Sequence, residues 1–361
     1  MTAICNRRSS EFRRRIFDAA LVLAAPLCLF AQSSSPGESI ERARALVAAH
    51  QLAQANEMLS AMVSRDPKNL AARQELGQVQ LAQSLNDDAM RSFEAVLKGK
   101  PDSAAARSGE VSAAIASALA DRGAGNADRA LGTLMRAKGF VPDSVELLIA
   151  FGIQADSMKI YRDADAALTE AHRLDPQNAK ALYALARIEI DEQKMSDAEA
   201  HLREYLKIKP DDATAHYGLG HLLYMLSKDD EAKAELERSV ALQPQQTESY
   251  YELGQIALDA HDDAAAKGDY NKVLASAPDH GGALTGMGVL AYRAKDYSAA
   301  ESYLKRAVIY APDYVTAHRY YAMTLARVGQ QEQSDREMAV ADQLTEEQNK
   351  LRHGYTLRPG P

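Results

Sequence analysis

The side chains that most often do chemistry do not converge in this sequence. Its nine histidines are scattered over 361 residues. The one close pair, His216 and His221, is five apart, which puts the rings on different faces of a helix and not at the spacing of a helical metal pair. The acidic clusters Asp211-Asp212, Asp229-Asp230-Glu231 and Asp262-Asp263 read as helix caps and first-turn acids, where a carboxylate meets free backbone N–H groups. Gly281, Gly282, Gly286 and Gly288 do not make a phosphate loop, because the run falls inside a helical stretch and not between strand and helix. No nucleophile–base signature stands out, so the sequence predicts no catalytic centre, no metal and no cofactor. What remains is contact chemistry. All sixteen tyrosines lie at or after Tyr161, and all six phenylalanines at or before Phe151. Tyrosine supplies amphipathic contact area at low entropic cost, so the second half is predicted to carry recognition.

The elements that must position these residues recur. Prolines stand at Pro67, Pro101, Pro142, Pro176, Pro210, Pro244, Pro278 and Pro312, spaced by 34 residues except for one gap of 41. Twelve residues before each is an alanine: Ala55, Ala89, Ala130, Ala164, Ala198, Ala232, Ala266 and Ala300. Twenty-four before it there is often a glycine (Gly77, Gly152, Gly220, Gly254, Gly288), preceded by a large apolar residue such as Leu76, Phe151, Leu219, Leu253 or Met287. Each period divides into two amphipathic stretches of helical spacing. The small residues let two helices approach closely, and the proline stops the second. Ser196-Asp-Ala-Glu199 and Ser298-Ala-Ala-Glu301 read as capping boxes opening second helices. One such pair cannot bury its own apolar face, so successive pairs must stack.

This pattern resembles the tetratricopeptide repeat (TPR), a 34-residue helix–turn–helix unit with a large residue, Leu-Gly, then Ala and Pro. The resemblance covers most of the chain. It implies an all-α fold, an α-α superhelix of about nine repeats at 36–350, closed by a polar C-terminal capping helix. The long third unit carries its excess near 121–127, at the turn between two helices, either as a tolerated surface insertion or as a contact element. Residues 351–361 are expected to form a disordered tail.

The resemblance also implies that first helices line a concave groove. The fifth position of successive units then gives Ile149, Tyr183, Tyr217, Tyr251, Thr285 and Arg319, and the ninth Ile153, Arg187, His221, Gln255, Val289 and Met323. Later groove positions add Tyr224, Tyr292 and Arg293. Tyr183, Tyr217 and Tyr251 are thus expected to form a ladder one repeat apart, with Arg187, His221 and Gln255 beside them, a strip suited to an extended peptide. Lys180 is the nearest cation at a second position, and no Lys-Asn pair recurs to capture a C-terminal carboxylate.

At the start, an arginine-rich segment precedes an apolar run, Ala19 to Phe30, and a small-residue exit. This is the layout of a secretory signal peptide at 1–31, with 32–35 a flexible linker; an uncleaved anchor is the alternative. The expected location is exported, periplasmic or secreted. With five arginines against Glu11 and Asp18 removed, the remainder carries −11 against −8 for the whole chain. Such a balance disfavours nucleic acid and anionic membrane surfaces as partners. The function predicted is a non-catalytic scaffold for a protein or peptide partner, with homo-oligomers possible and no membrane insertion of the mature chain. The other reading is an assembly or export accessory of an outer-membrane or polysaccharide machine, acting through the solenoid edges.

Overall fold

In the computed structural model, residues 36–356 are described, and among them every element is an α-helix. The signal-peptide and linker expectations at 1–35 lie outside the described residues. First helices are α1 (Pro36–Ala48), α3 (Leu70–Ala82), α5 (Ala104–Gly123), α7 (Val145–Ser157), α9 (Ala179–Asp191), α11 (Ala213–Met225), α13 (Thr247–Asp259), α15 (Gly281–Arg293) and α17 (Val315–Arg327). Second helices are α2 (Leu52–Arg65), α4 (Asn86–Gly99), α6 (Ala127–Phe140), α8 (Tyr161–Leu174), α10 (Met195–Ile208), α12 (Asp229–Leu242), α14 (Asp263–Ser276), α16 (Tyr297–Tyr310) and α18 (Gln331–Thr356). The capping helix expected after the ninth unit is the continuation of α18, which runs to Thr356; 357–361 lie outside the described residues.

Local chemistry sets the boundaries. Second helices stop two residues before each proline, as at Arg65, because the residue ahead of a proline is pushed out of helical geometry: Asp66 has φ −131° and ψ 90°. The next helix is capped two residues past the proline. Asn69, Ser103, Ser144, Asn178 and Asp212 all accept a backbone N–H there, and His280 does so through Nδ1. The two capping boxes expected at Ser196 and Ser298 are not formed. The helices begin one residue earlier, at Met195 and Tyr297, so both serines are already inside; Asp296 caps the second instead. Inside each unit the turn passes through one left-handed residue: His50, Ser84, Gly125, Lys159, Gln193, Ser227, His261, Lys295 and Gly329. The N–H that follows bonds back to a carbonyl five residues earlier, as Leu85 does to Gln80 at 2.9 Å.

The close approach sits where the small residues predicted it. A Cβ placed on Gly77, Gly152, Gly220, Gly254 or Gly288 would lie 2.5–2.7 Å from Phe93, Leu168, Leu236, Tyr270 or Leu304, each sixteen residues on. All eight pre-proline alanines are fully buried. Between successive units the second helix of one packs on the first helix of the next; most first helices also touch one another, whereas α4 and α6 are the second helices that come together. First helices therefore occupy the inner side of the stack.

The seven extra residues of the third unit do not lengthen a turn, which is the correction to their placement at 121–127. The turn at 124–126 has the ordinary three residues, and α5 has 20 residues where other first helices have 13. Seven residues make about 700°, close to two full turns, so the buried face is kept while the helix gains about 10.5 Å. One end of α5 packs on the unit before, with Gly109 pressed under Phe93. The other end pairs with α6 and α7, with Leu134 buried sixteen residues after Ala118. The stack is stepped by two helical turns there.

That step has a cost at Glu110. Nine residues after the proline, other units place Leu76, Phe151, Leu185 or Leu219; here a carboxylate is fully buried with neither oxygen hydrogen-bonded. Burial, then the nearby Glu94, pushes it up from about 4.5 to about 8, with Arg136, ion-paired to Glu94 at 2.8 Å, pulling the other way. The folded protein holds this proton while the unfolded chain releases it. The penalty therefore grows as pH rises from about 4.5 to about 8 and is constant above. Glu110→Leu is expected to raise the melting temperature at pH 8, relieving about 2 kcal/mol or more. The gain should be clearly smaller at pH 5; thermal melts that show equal gains at both pH values, or a loss, refute this account.

Candidate functional site

The ten groove residues named from the sequence all lie on first helices, but they divide by what they touch. Tyr183 and Tyr217 are half-buried. The Tyr183 ring packs 5.2 Å from that of Tyr205, whose hydroxyl donates to Asp212 at 2.5 Å; Tyr217 stacks on His221 at 6.1 Å. Tyr251 differs. Its ring lies 4.8 Å from His280 of the next unit, and a Cβ on Gly282 would meet it at 2.6 Å. Burial, then Tyr314, pushes its phenol far above the usual range. It is wedged between repeats.

Most of the polar groups beside the ladder tie one unit to another. Arg187 reaches back to Asp156 at 2.9 Å, and His221 Nδ1 forward to Glu252 at 2.9 Å. The hydrogen bond to Glu252 raises the His221 imidazole above its usual value. The Tyr224 hydroxyl donates to Asp259 at 2.8 Å, and Gln255 accepts from the Tyr270 hydroxyl. Arg293 donates to the Leu258 carbonyl at 3.0 Å and to Asp263 at 3.1 Å. Tyr292 packs edge-on to Tyr297 and Tyr320, both at 5.6 Å. Arg319 is exposed with no ion pair among the described residues. His216 is structural: it bridges Glu235 at 2.6 Å and the Pro210 carbonyl at 3.0 Å, and His318 repeats both contacts with Glu337 and Pro312.

A cavity on the inner face lies elsewhere. It has a volume of about 730 Å³ and sits between α5 and α7, under the turn that opens α9. Ile115, Ala118 and Leu119 line one wall; Ile149, Ala150 and Ile153 line the other; Leu134 lies beneath. Arg122, Glu146, Asp175, Gln177, Lys180 and Lys209 stand at its edges. None of the ten named residues lines it. Ile149 and Ile153 were visible as fifth and ninth positions, and Lys180 as a second position. Ile115, Leu119 and Arg122 were missed because the excess of the third unit was taken for a loop. The usable signal was its length, seven residues, which keeps a helix in phase.

Among the described residues no group of three or more His, Cys, Asp or Glu could hold a metal ion, and no helix is long and apolar enough to cross a membrane. The site offers shape, apolar area and charge.

Two tetratricopeptide repeat models match the sequence, one at residues 46–111 and 189–256, the other at 160–213, 251–315 and 285–332. The chain belongs to the tetratricopeptide repeat family. No curated protein sequence matches it. Among solved structures, this TPR protein is similar to the pilF protein of Pseudomonas aeruginosa, at 20% identity and a TM-score of 0.54, over 60% of this chain and 99% of that one. It is also similar to the APC/C hetero-tetramer Cut9-Hcn1, at 15% identity and a TM-score of 0.51, over 81% of this chain and 56% of that one. At such identities the likeness is one of fold. The TPR packing separates the tyrosines by role, and their stabilities should follow. Tyr251→Ala is expected to lose about 3 kcal/mol or more, since it empties a filled contact between units. Tyr217→Ala should lose less than about 1.5 kcal/mol. Urea melts followed by circular dichroism rank the two, and equal losses would contradict the division.

Proposed function

We propose that this TPR solenoid is a non-catalytic scaffold of the cell envelope that holds an extended segment of a partner protein along its inner face. The observation that carries this reading is the open apolar cavity between α5 and α7, lined on both walls by aliphatic side chains and continued along the first helices by Tyr183 and Tyr217. A surface of this kind, apolar at the centre and charged at its edges, suits a peptide better than a rigid globular partner. Membership of a family built for protein contacts supports it. Export is read from the first 31 residues alone.

The test is affinity capture from envelope extract with four baits: the natural sequence from residue 32, Tyr183→Ala/Tyr217→Ala, Leu119→Asp, and Met135→Asp as an outer-face control. Leu119 and Met135 are both about half exposed, at 52% and 53%, so neither change should unfold the chain. A partner kept by the first and last baits and lost by either inner-face variant is the expected outcome. A partner lost only with Met135→Asp would move binding to the outer face, and turnover of any substrate by clean protein would end the scaffold reading.

A further inference from the structure

The cavity between α5 and α7 combines solvent-open aliphatic walls with cations that no acid among the described residues engages. Leu119 is 52% exposed, and Ile115 and Ile153 are part-exposed on facing helices. Arg122 follows Leu119 by three residues, at the end of α5. Lys180 lies in the first turn of α9, and Lys209 just ahead of α11. All three are exposed, and their side chains have neither ion pair nor hydrogen bond among the described residues. Their neighbours are treated otherwise: Arg129, Arg136, Arg187 and Lys194 each hold a carboxylate. Of the two acids at the cavity, Asp175 accepts from the Asn178 amide at 3.0 Å. Glu146 sits in the first turn of α7, where the helix N-terminus favours it.

The placement of the cations supplies a length. Helices α5 and α7 run in the same direction, because one antiparallel helix separates them. Arg122 therefore marks one end of the trough, while Lys180, in the first turn of α9, and Lys209, at the C-terminal cap of α10, mark the other. From Ile115 to Arg122 the wall rises about 10 Å, which an extended chain covers in about three residues. Alternate side chains of such a chain face the same way, so two aliphatic residues at i and i+2 would meet the floor.

We propose that this cavity takes an acid-flanked aliphatic segment of a partner protein. One carboxylate lies against Lys180 and Lys209, two aliphatic side chains rest two residues apart on the walls of α5 and α7, and a second carboxylate lies against Arg122. This rests on the reading of the inner face as a protein-binding surface and adds the chemistry of the segment. A neutral apolar occupant leaves three cations unanswered, and a single-headed anion answers one end only. The step in the stack explains why the trough occurs here: the two added turns of α5 carry Leu119 and Arg122 to the level of α7.

The experiment measures fluorescence anisotropy of labelled nine-residue peptides on the purified chain. The cores compared are ELSLE, KLSLK and ESSSE, with dodecanoate as a competing single-headed amphiphile. ELSLE should bind at least about tenfold more tightly than the other two. Leu119→Asp and Arg122→Glu should each weaken it by about tenfold or more, with unchanged circular dichroism and melting temperature. Arg122→Glu should also prefer a peptide with one reversed end, ELSLK or KLSLE, a rescue that a purely structural arginine would not give. Equal binding of ELSLE and KLSLK, indifference to Leu119→Asp, or binding of dodecanoate without any peptide would overturn the proposal. If the envelope partner is lost only from Tyr183→Ala/Tyr217→Ala, the scaffold reading survives and this one fails.

Discussion

Five of the nine units of this protein close because a large side chain on the second helix presses against a place where the first helix has none. Phe93 on Gly77, Leu168 on Gly152, Leu236 on Gly220, Tyr270 on Gly254 and Leu304 on Gly288 are one contact made five times, always sixteen residues apart. The alanine four residues before each of these large side chains is fully buried. Two of those large side chains are used again: Phe93 is also covered by Gly109, and Tyr270 by Gly286, both on the following first helix. The same ring therefore closes its own unit and docks the next. Stacking follows from this, since a pair alone leaves half of that ring uncovered.

The stepped third unit shows how far such a scheme tolerates change. An insertion far from a whole number of helical turns would rotate the buried face of α5 away from one neighbour or the other. Seven residues preserve both faces, at the expense of a carboxylate, Glu110, where a core residue belongs. The same two turns lift Leu119 and Arg122 into the inner groove and bring α6 across α4, where Arg129 reaches Asp87 and Arg136 reaches Glu94. The buried carboxylate, the extra helix contact and the cavity thus all fall at one local irregularity.

Along the groove, charge is mostly spent on holding units together. Arg187 with Asp156, His221 with Glu252 and Arg293 with Asp263 cross from one unit to another, and so does the Tyr224–Asp259 hydrogen bond. These groups were read from the sequence as ligand contacts, and their positions on the first helices agree with that reading of the repeat. Their partners are all within the chain. Arg122, Lys180 and Lys209 at the cavity, and Arg319, are among the cations whose side chains have no ion pair among the described residues, and there the inner face can offer charge to another molecule.

The period of proline, alanine and glycine determined by itself that the chain is helical, where its helix pairs fall and which residues meet across them. These are local or near-neighbour facts, and the steric demands of proline and of close helix approach write them into residue type. The ends of helices were less legible. The cap two residues past most of the prolines and the left-handed residue in each turn recur with the same period, but Gln246 and Tyr314 form no side-chain cap, and side chains as different as Ser, Lys, Gln and His fill the turn position. What only the tertiary structure decided is the use of exposed positions. Tyr183, Tyr217 and Tyr251 are equivalent in the repeat, yet Tyr251 is wedged because Gly282 of the next unit leaves room for its ring. Likewise, the composition of the third unit does not distinguish a longer turn from a longer helix. Whether α5 continues depends on neighbours on both sides burying its extra turns, and that is a property of the stack, not of the segment.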